Sequence, residues 1–543
     1  MKNFLIRDQS LAILKNQLNV YLCNSICTNF EKMRTIINCL LAFLMSWPSV
    51  AQGNGKVFNI TAYGAKGDGK TLNTQAIQRA IDALSQAGGG RLIVPEGAFL
   101  TGSILLKSNV DLHLEKGAVL LGSLNPEDYQ KARHPALVLA HQQENVSISG
   151  QGVINGRGCA AALRFDSLLY AKHPEPAKYV FGRLGENVRP QNIEMAECKG
   201  VTIKGITLKD AGCWVQTYHE CENVVIDSIR VESDHYWNND GIGIWDCRKV
   251  RIANSYVNSA DDGICLKSYK HGLGCEDVVV ENCIVRSSAS ALKFGTGSYG
   301  GFRNVTIRNI SIFDTYRSAI AIECVDGGLL ENVLVDGIRA IHTGNAIFIR
   351  LGDRNKTDGV SVLRNITIRN LFVQVPFGPP DLNYEVRGPV IMASPASSLP
   401  LSHYLNTIPS SITGIPGHPV ENVTLENIEI VFPGRGNTAM GNIPVWRLHT
   451  VPEQEKHYPE FSMFGELPAW GMYVRHVKGL KMENVTVRAE KPDYRPAFVF
   501  DDVSGLQMNR IRIYEDDDDP QIILKEVADQ SLNVDLKTVM TIP

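Results

Sequence analysis

Two successive stretches, "ENVVIDSIRV" (222–231) and "RKVRIANSYV" (248–257), decide the fold. In each, apolar side chains alternate with polar ones, the period of a strand that buries one face. The phrase returns as "ENVSISGQGV" (144–153), "EDVVVENCIV" (276–285), "RNVTIRNISI" (303–312), "RNITIRNLFV" (364–373), "ENVTLENIEI" (421–430) and "KGLKMENVTV" (478–487). The aligned apolar residues are Val146, Val201, Val224, Val250, Val278, Val305, Val333, Ile366, Val423, Leu480 and Leu506. Their separations are 55, 23, 26, 28, 27, 28, 33, 57, 57 and 26 residues. Values near 55 are two turns of the repeat, or one turn carrying an insertion.

Short strands with Asn or Gly at the bends, repeating every 23 to 28 residues, predict an all-β chain wound as a right-handed parallel β-helix. One coil cannot bury its own apolar face; coils stacked at about 4.8 Å share a continuous core. A propeller, with blades of roughly 40 residues, fits these spacings less well. Four N-x-T/S sequons, at Asn145, Asn304, Asn365 and Asn422, fall immediately before an aligned apolar residue. They read as turn asparagines leading into β-branched strand residues rather than as glycosylation sites.

The rest of the chain is organised around this solenoid. Residues 56–123 read as an N-terminal cap and first coils. That segment contains one amphipathic helix with Ile77, Ala80, Ile81 and Leu84 on one face, stopped by three glycines at 88–90. Residues 124–515 read as the β-helix, with Pro-, Ser- and aromatic-rich insertions near 377–419 and 433–471 that wall one end of a groove. Residues 516–543 read as a C-terminal cap or tail. Residues 33–51 have a signal-peptide layout: one basic residue, an apolar run and small residues before a cut after about Ala51. That run is too short for a stable membrane span. Residues 1–32 read as an upstream extension. The mature protein is therefore expected to be secreted or periplasmic.

Composition narrows the function. A net charge of −3 gives no basic footprint for nucleic acid. Twelve cysteines, three of them before residue 40, leave nine without C-x-x-C pairs, which suits buried small hydrophobes better than a disulfide or metal framework. The stretch "GAKGDGKT" (64–71) satisfies the phosphate-loop pattern G-x-x-x-x-G-K-[ST]. Such a helix should begin directly after Lys70-Thr71, whereas Asn73 or Thr74 reads here as the N-cap, so the loop is expected to be a turn and no nucleotide is expected.

The chemistry concentrates in "SDHYWNNDGIGIWDCRKVRIANSYVNSADDGICLKS" (233–268). Asp240 precedes Asp261 and Asp262 by 21 and 22 residues, so all three carboxylates fall at one phase of adjacent coils. Like charges so close push one pKa upward. Hydrolysis of a glycosidic bond needs this pairing: a protonated acid for the leaving oxygen and a carboxylate base for water.

"NNDGI" (238–242) and "ADDGICLKS" (260–268), with "AYGAKGDGKTLNTQAIQRAIDA" (62–83), resemble the motifs and N-terminal cap of glycoside hydrolase family 28, the polygalacturonases and rhamnogalacturonases. The resemblance implies an inverting hydrolase of a pectin-related glycan, without cofactor or metal, with Asp261 as general acid and Asp240 and Asp262 holding and activating water. Departures accompany it. Ser290 stands where the family has His, and Ala321 and Glu323 stand where it has Arg and Lys. A carboxylate at 323 beside a galacturonate costs affinity, so the expected specificity is other than plain polygalacturonase, with rhamnogalacturonan or a side chain favoured. Asn238, Lys267, Lys293, Glu323 and His235 are the candidate substrate contacts. Lys267 and Lys293 either bind a uronate or pair with Asp262 and its neighbours, and no arginine is evident beside the acids. Two alternatives remain at this stage: a β-helix polysaccharide lyase, and a glycan-binding rod without catalysis.

Overall fold

The computed structural model describes residues 55–542, apart from short stretches at 131–132, 180–183, 356–358, 382–383, 385–407, 437–442, 516–519 and 535–538. The expected signal peptide and upstream extension lie outside the described residues. From Lys56 onward the chain is a parallel β-helix: every ladder between its named strands is parallel. The right hand is that of nearly all parallel crossovers.

The aligned residues of the repeat stack one on another through the whole solenoid. Val146 pairs with Val201, Val201 with Val224, Val224 with Val250 and Val250 with Val278. The row continues through Val305, Val333, Ile366, Val423 and Leu480 to Leu506. Each of these residues is buried, and each Val or Ile so buried stabilises the fold by about 1.5–3 kcal/mol. The separations near 55 are therefore single coils with insertions, since residues 146 and 201, 366 and 423, and 423 and 480 are direct neighbours. The first insertion carries a helix, Gly158–Lys172.

The bends explain the asparagines. Asn304, Asn332, Asn365 and Asn422 all have φ between 55 and 58°, the left-handed region that Asn tolerates better than most side chains. Their amides form a ladder: Asn332 donates to Asn304 at 3.3 Å, Asn365 to Asn332 at 3.2 Å and Asn422 to Asn365 at 3.1 Å. A second ladder joins Asn484 to Asn427 at 2.8 Å and Asn427 to Asn370 at 3.1 Å.

At the N-terminal end the helix α1, Thr74–Gln86, lays Ile77, Ala80, Ile81 and Leu84 on the core. The preceding glycine-rich loop is closed on itself. The Asp68 carboxylate accepts from the backbone N–H groups of Lys70 and Thr71 at 2.9 and 2.8 Å, which holds it down at about 2. Asn73 occupies the N-cap, but its side chain ties the loop at Lys66 and Thr71 instead of capping α1. After α1 the chain passes so close to the next coil that a Cβ on Gly89 would lie 2.3 Å from the Asn109 carbonyl oxygen. Eight of the nine cysteines in the described region are buried and all nine are free thiols. Among the described residues no helix is long and apolar enough to cross a membrane.

Candidate active site

Each coil has three faces, and the third carries the acids. Its strands include Gln216–His219, Ile242–Trp245, Ile264–Ser268 and Leu292–Ser298. Ile242 pairs with Ile264, an offset that puts Asp240 directly over Asp262. The Gly241 N–H donates to the Asp262 carbonyl at 2.9 Å, and the Gly263 N–H donates to that of Ser290 at 2.8 Å, so Ser290 continues the stack. The glycine after each aspartate is a packing requirement. A Cβ on Gly241 would lie 2.3 Å from Val257 Cγ1, and one on Gly263 would lie 2.4 Å from Val285 Cγ1.

The three carboxylates differ in environment. Asp240 is 3 % exposed, and its Oδ2 accepts from Lys267 Nζ at 2.7 Å and from Cys265 Sγ at 3.4 Å. Burial pushes Asp240 up to about 7; Lys267 opposes that rise, and Asp261 and Asp262 add to it. Desolvation thus outweighs the like-charge crowding from which the sequence argues. Asp262 is 4 % exposed; its Oδ1 accepts from the Ser290 N–H at 3.2 Å, and Lys293 Nζ is 3.6 Å from its Oδ2. Asp261 is half-buried, accepts from the Asp262 N–H at 2.9 Å and lies 3.5 Å from Asn238 Nδ2. Asn238 is itself held by Arg189, whose guanidinium donates to Asn238 Oδ1 at 2.8 Å.

The candidate contacts separate into groups. Lys267 pairs with Asp240 and not with Asp262. Lys293 is shared between Asp262 and Glu323, 3.7 Å away, with the Tyr458 hydroxyl at 3.4 Å. Glu323 is 1 % exposed, Oε2 is without a partner, and burial pushes the carboxyl up to about 8 against the pull of Lys293. It is a fourth buried acid of the cluster. His235 is exposed and faces Asp234 at 3.1 Å, apart from these contacts.

Three participants escape the sequence reading. Arg317 lies two coils below Asp261 with Ala289 between them, and its N–H donates to the Ala289 carbonyl at 2.8 Å. Burial alone would lower this guanidinium, but Glu460, Tyr458, Asp261 and Asp262 together hold it charged. An arginine therefore does stand beside the acids, and the repeated spacing of 28 residues, 261 to 289 to 317, is the signal that locates it. Tyr458 and Glu460, the latter 3.4 Å from Arg317, arrive on the insertion near 433–471, with no periodicity to announce them.

That insertion explains Ala321 and Glu323. Leu448, Val451, Phe461, Phe464 and Leu467 pack with Ala321, Phe348 and Tyr473 into a second apolar core over the third face. Ala321 is 1 % exposed beneath it, so position 321 is apolar because it is covered. Tyr458, on the same insertion, meets Lys293.

A parallel β-helix with a step of stacked aspartates on one face defines a class of solenoid that the comparisons with known proteins identify. Residues 85–317 match the model of the glycosyl hydrolases family 28. An exo-poly-α-D-galacturonosidase of Dickeya chrysanthemi is 28 % identical over 47 % of this chain and 56 % of its own. The solved hyperthermoactive exopolygalacturonase of Thermotoga maritima is 25 % identical with a TM-score of 0.55, covering 69 % of this chain and 87 % of that one. A family 28 exopolygalacturonase of Yersinia enterocolitica shares the fold at 19 % identity and a TM-score of 0.53, over 88 % of this chain and 78 % of that one. The chain spans little more than half the length of the curated relatives it matches.

Proposed function

We propose that the protein is an exported, inverting glycoside hydrolase that acts at the ends of a pectin-related glycan, with a specificity other than plain polygalacturonase. The stack of Asp240 on Asp262, with Asp261 beside it, carries this reading. Asp261, the most accessible of the three, donates its proton to the leaving glycosidic oxygen. Asp240 and Asp262 hold a water on the opposite side of the sugar and take its proton as it attacks the anomeric carbon, so the product has inverted configuration. A base near 7, as burial makes Asp240, is matched to that task at neutral pH.

The covered third face beyond Lys293 supports action at a chain end, since a polymer cannot continue past it. The relatives compared above carry exo-acting names. Lys293 is already shared by two carboxylates and Arg317 lies 3.4 Å from Glu460, so both cations of that wall already have carboxylate partners. This favours rhamnogalacturonan or a side chain over homogalacturonan. The leader at 33–51 supports export.

The test is reducing-sugar release from a panel of pectic polysaccharides and oligosaccharides, comparing wild type with Asp261→Asn. The expected result is release that falls at least a hundredfold in the variant and is indifferent to chelator. A product that absorbs in the ultraviolet and needs metal would replace hydrolysis by elimination. Glycan retention without any release would make the protein a binding rod.

A further inference from the structure

Arg189 is 0 % exposed, and all the N–H groups of its guanidinium have acceptors. Nε donates to the Leu184 carbonyl, and Nη1 to the carbonyls of Gly212 and Trp237, each at 2.8 Å. Nη2 donates to Glu186 Oε1 at 3.5 Å and to Asn238 Oδ1 at 2.8 Å. The arginine stands just before the strand Gln191–Ala196. One side chain therefore joins the insertion that carries the helix Gly158–Lys172 to the coil at 212 and to the loop leading into Asp240. The carbonyl bonds hold backbone. The bond to Asn238 does something further, because it sets which end of an amide faces Asp261.

An arginine side chain has donors only, so the Asn238 atom against it is the carbonyl oxygen and the amide nitrogen turns the other way. Asn238 Nδ2 faces Asp261 Oδ2 at 3.5 Å. The neighbouring Asn239 bonds backbone instead: its Nδ2 donates to the Cys213 and Trp237 carbonyls at 3.1 and 3.3 Å. Asp261 Oδ1 already accepts from the Asp262 N–H at 2.9 Å, so Oδ2 is the oxygen left to carry a proton. An oxygen bearing a proton is a weak acceptor, which matches a contact at the long end of hydrogen-bond distances. Once the proton leaves, the same oxygen is anionic, and the N–H bond to it becomes charge-assisted and shorter. The amide thus stabilises Asp261 more after proton transfer than before it, which is the condition for accelerating the step. Turned over, Asn238 would present its carbonyl, hold the proton and oppose transfer.

We infer that Arg189 is a positioning residue for the acid step: by fixing the Asn238 amide, it presents an N–H to the Asp261 oxygen that gives up the proton. The assignment rests on the hydrolase reading above, in which Asp261 protonates the leaving glycosidic oxygen. The electron pair of the broken O–H bond stays on Oδ2. Asp240, Asp262 and Arg317 are charged groups beside Asp261, and the variants below keep all three.

The first measurement needs no turnover. In the full chain labelled with carbon-13 at the aspartate side-chain carboxyls, NMR follows the titration of Asp261, with Asp261→Asn assigning its resonance. Asn238→Ala removes a donor to the charged form and should move that titration upward by about half a pH unit or more. Arg189→Lys keeps the charge but loses the fork, and should move it the same way. In a chain already carrying Asn238→Ala, Arg189→Lys should add nothing. The second measurement uses the glycan from which wild type releases sugar, and the 2,4-dinitrophenyl glycoside of that sugar, whose leaving group needs no proton. Asn238→Ala should lower kcat on the glycan about tenfold or more and leave the dinitrophenyl glycoside within about twofold. A titration unmoved by Asn238→Ala, or equal losses on both substrates in a protein of wild-type circular dichroism, would overturn the assignment. So would a further shift from Arg189→Lys in the Asn238→Ala background. Should Arg189→Lys not fold, Asn238→Ala decides on its own. A wild type that releases no sugar would remove the hydrolase reading, while the titration would still decide whether Asn238 acts on Asp261.

Discussion

Lys267 donates to Asp240 at 2.7 Å, and both partners are almost wholly buried. The lysine lowers a carboxyl that burial raises. Asp240 must be ionised to act as base, so activity should fall as pH drops through about 7. Lys267→Met removes the opposing cation and moves that acidic limb upward, costing tenfold or more in kcat/KM at pH 6. A pH–rate profile for both proteins checks the sign; an unmoved limb would mean that Asp240 is not the titrating base.

Glu323 titrates near 8 in the fold against 4.5 as a free side chain. Its protonated form is the one the buried site favours. The stability this contributes is complete below about pH 4.5 and is lost as pH rises through 8. Glu323→Gln keeps the shape without the ionisation. Between pH 5 and pH 9 the variant should gain on wild type by about 1–3 kcal/mol, measured as urea midpoints.

Tyr458 meets Lys293 on the wall where the proposed groove would end. Replacing it with Ala should open that end without dismantling the apolar core beneath the insertion, in which Tyr458 has no part. Wild type is expected to release one short product from a long substrate. Tyr458→Ala should add longer products, seen by chromatography of early digests.

Asn365 both gives and accepts an amide hydrogen bond at φ 58°. Asn365→Ala should cost about 2–3 kcal/mol, from the left-handed backbone and the lost bonds together. Asn365→Gly restores the backbone freedom and should recover about 1 kcal/mol of that. Thermal midpoints of the two variants separate the contributions.

The repeat was legible because stacking demands it. Val224 and Val250 must face the same core at the same phase, and the alternation around them follows. The offset of 22 residues from Asp240 to Asp262 was readable for the same reason. Lys267's partner was not, because register places it between two acids and only side-chain reach selects Asp240. Tyr458 and Glu460 were invisible because an insertion is not periodic: it returns to the third face 165 residues after Lys293 in sequence. The burial of Glu323 was not legible either, since it depends on what that insertion covers. Arg317 was within reach, masked by the small Ala289 between it and Asp261.

The helix α1 does more than complete the core at the first coil. A stack of parallel strands has no natural stopping point, and its last open edge would accept any strand presented to it, including one from another copy. By laying Ile77, Ile81 and Leu84 across that end, α1 makes the first coil a terminus rather than a template. A chain lacking residues 56–87 should polymerise end to end before it unfolds.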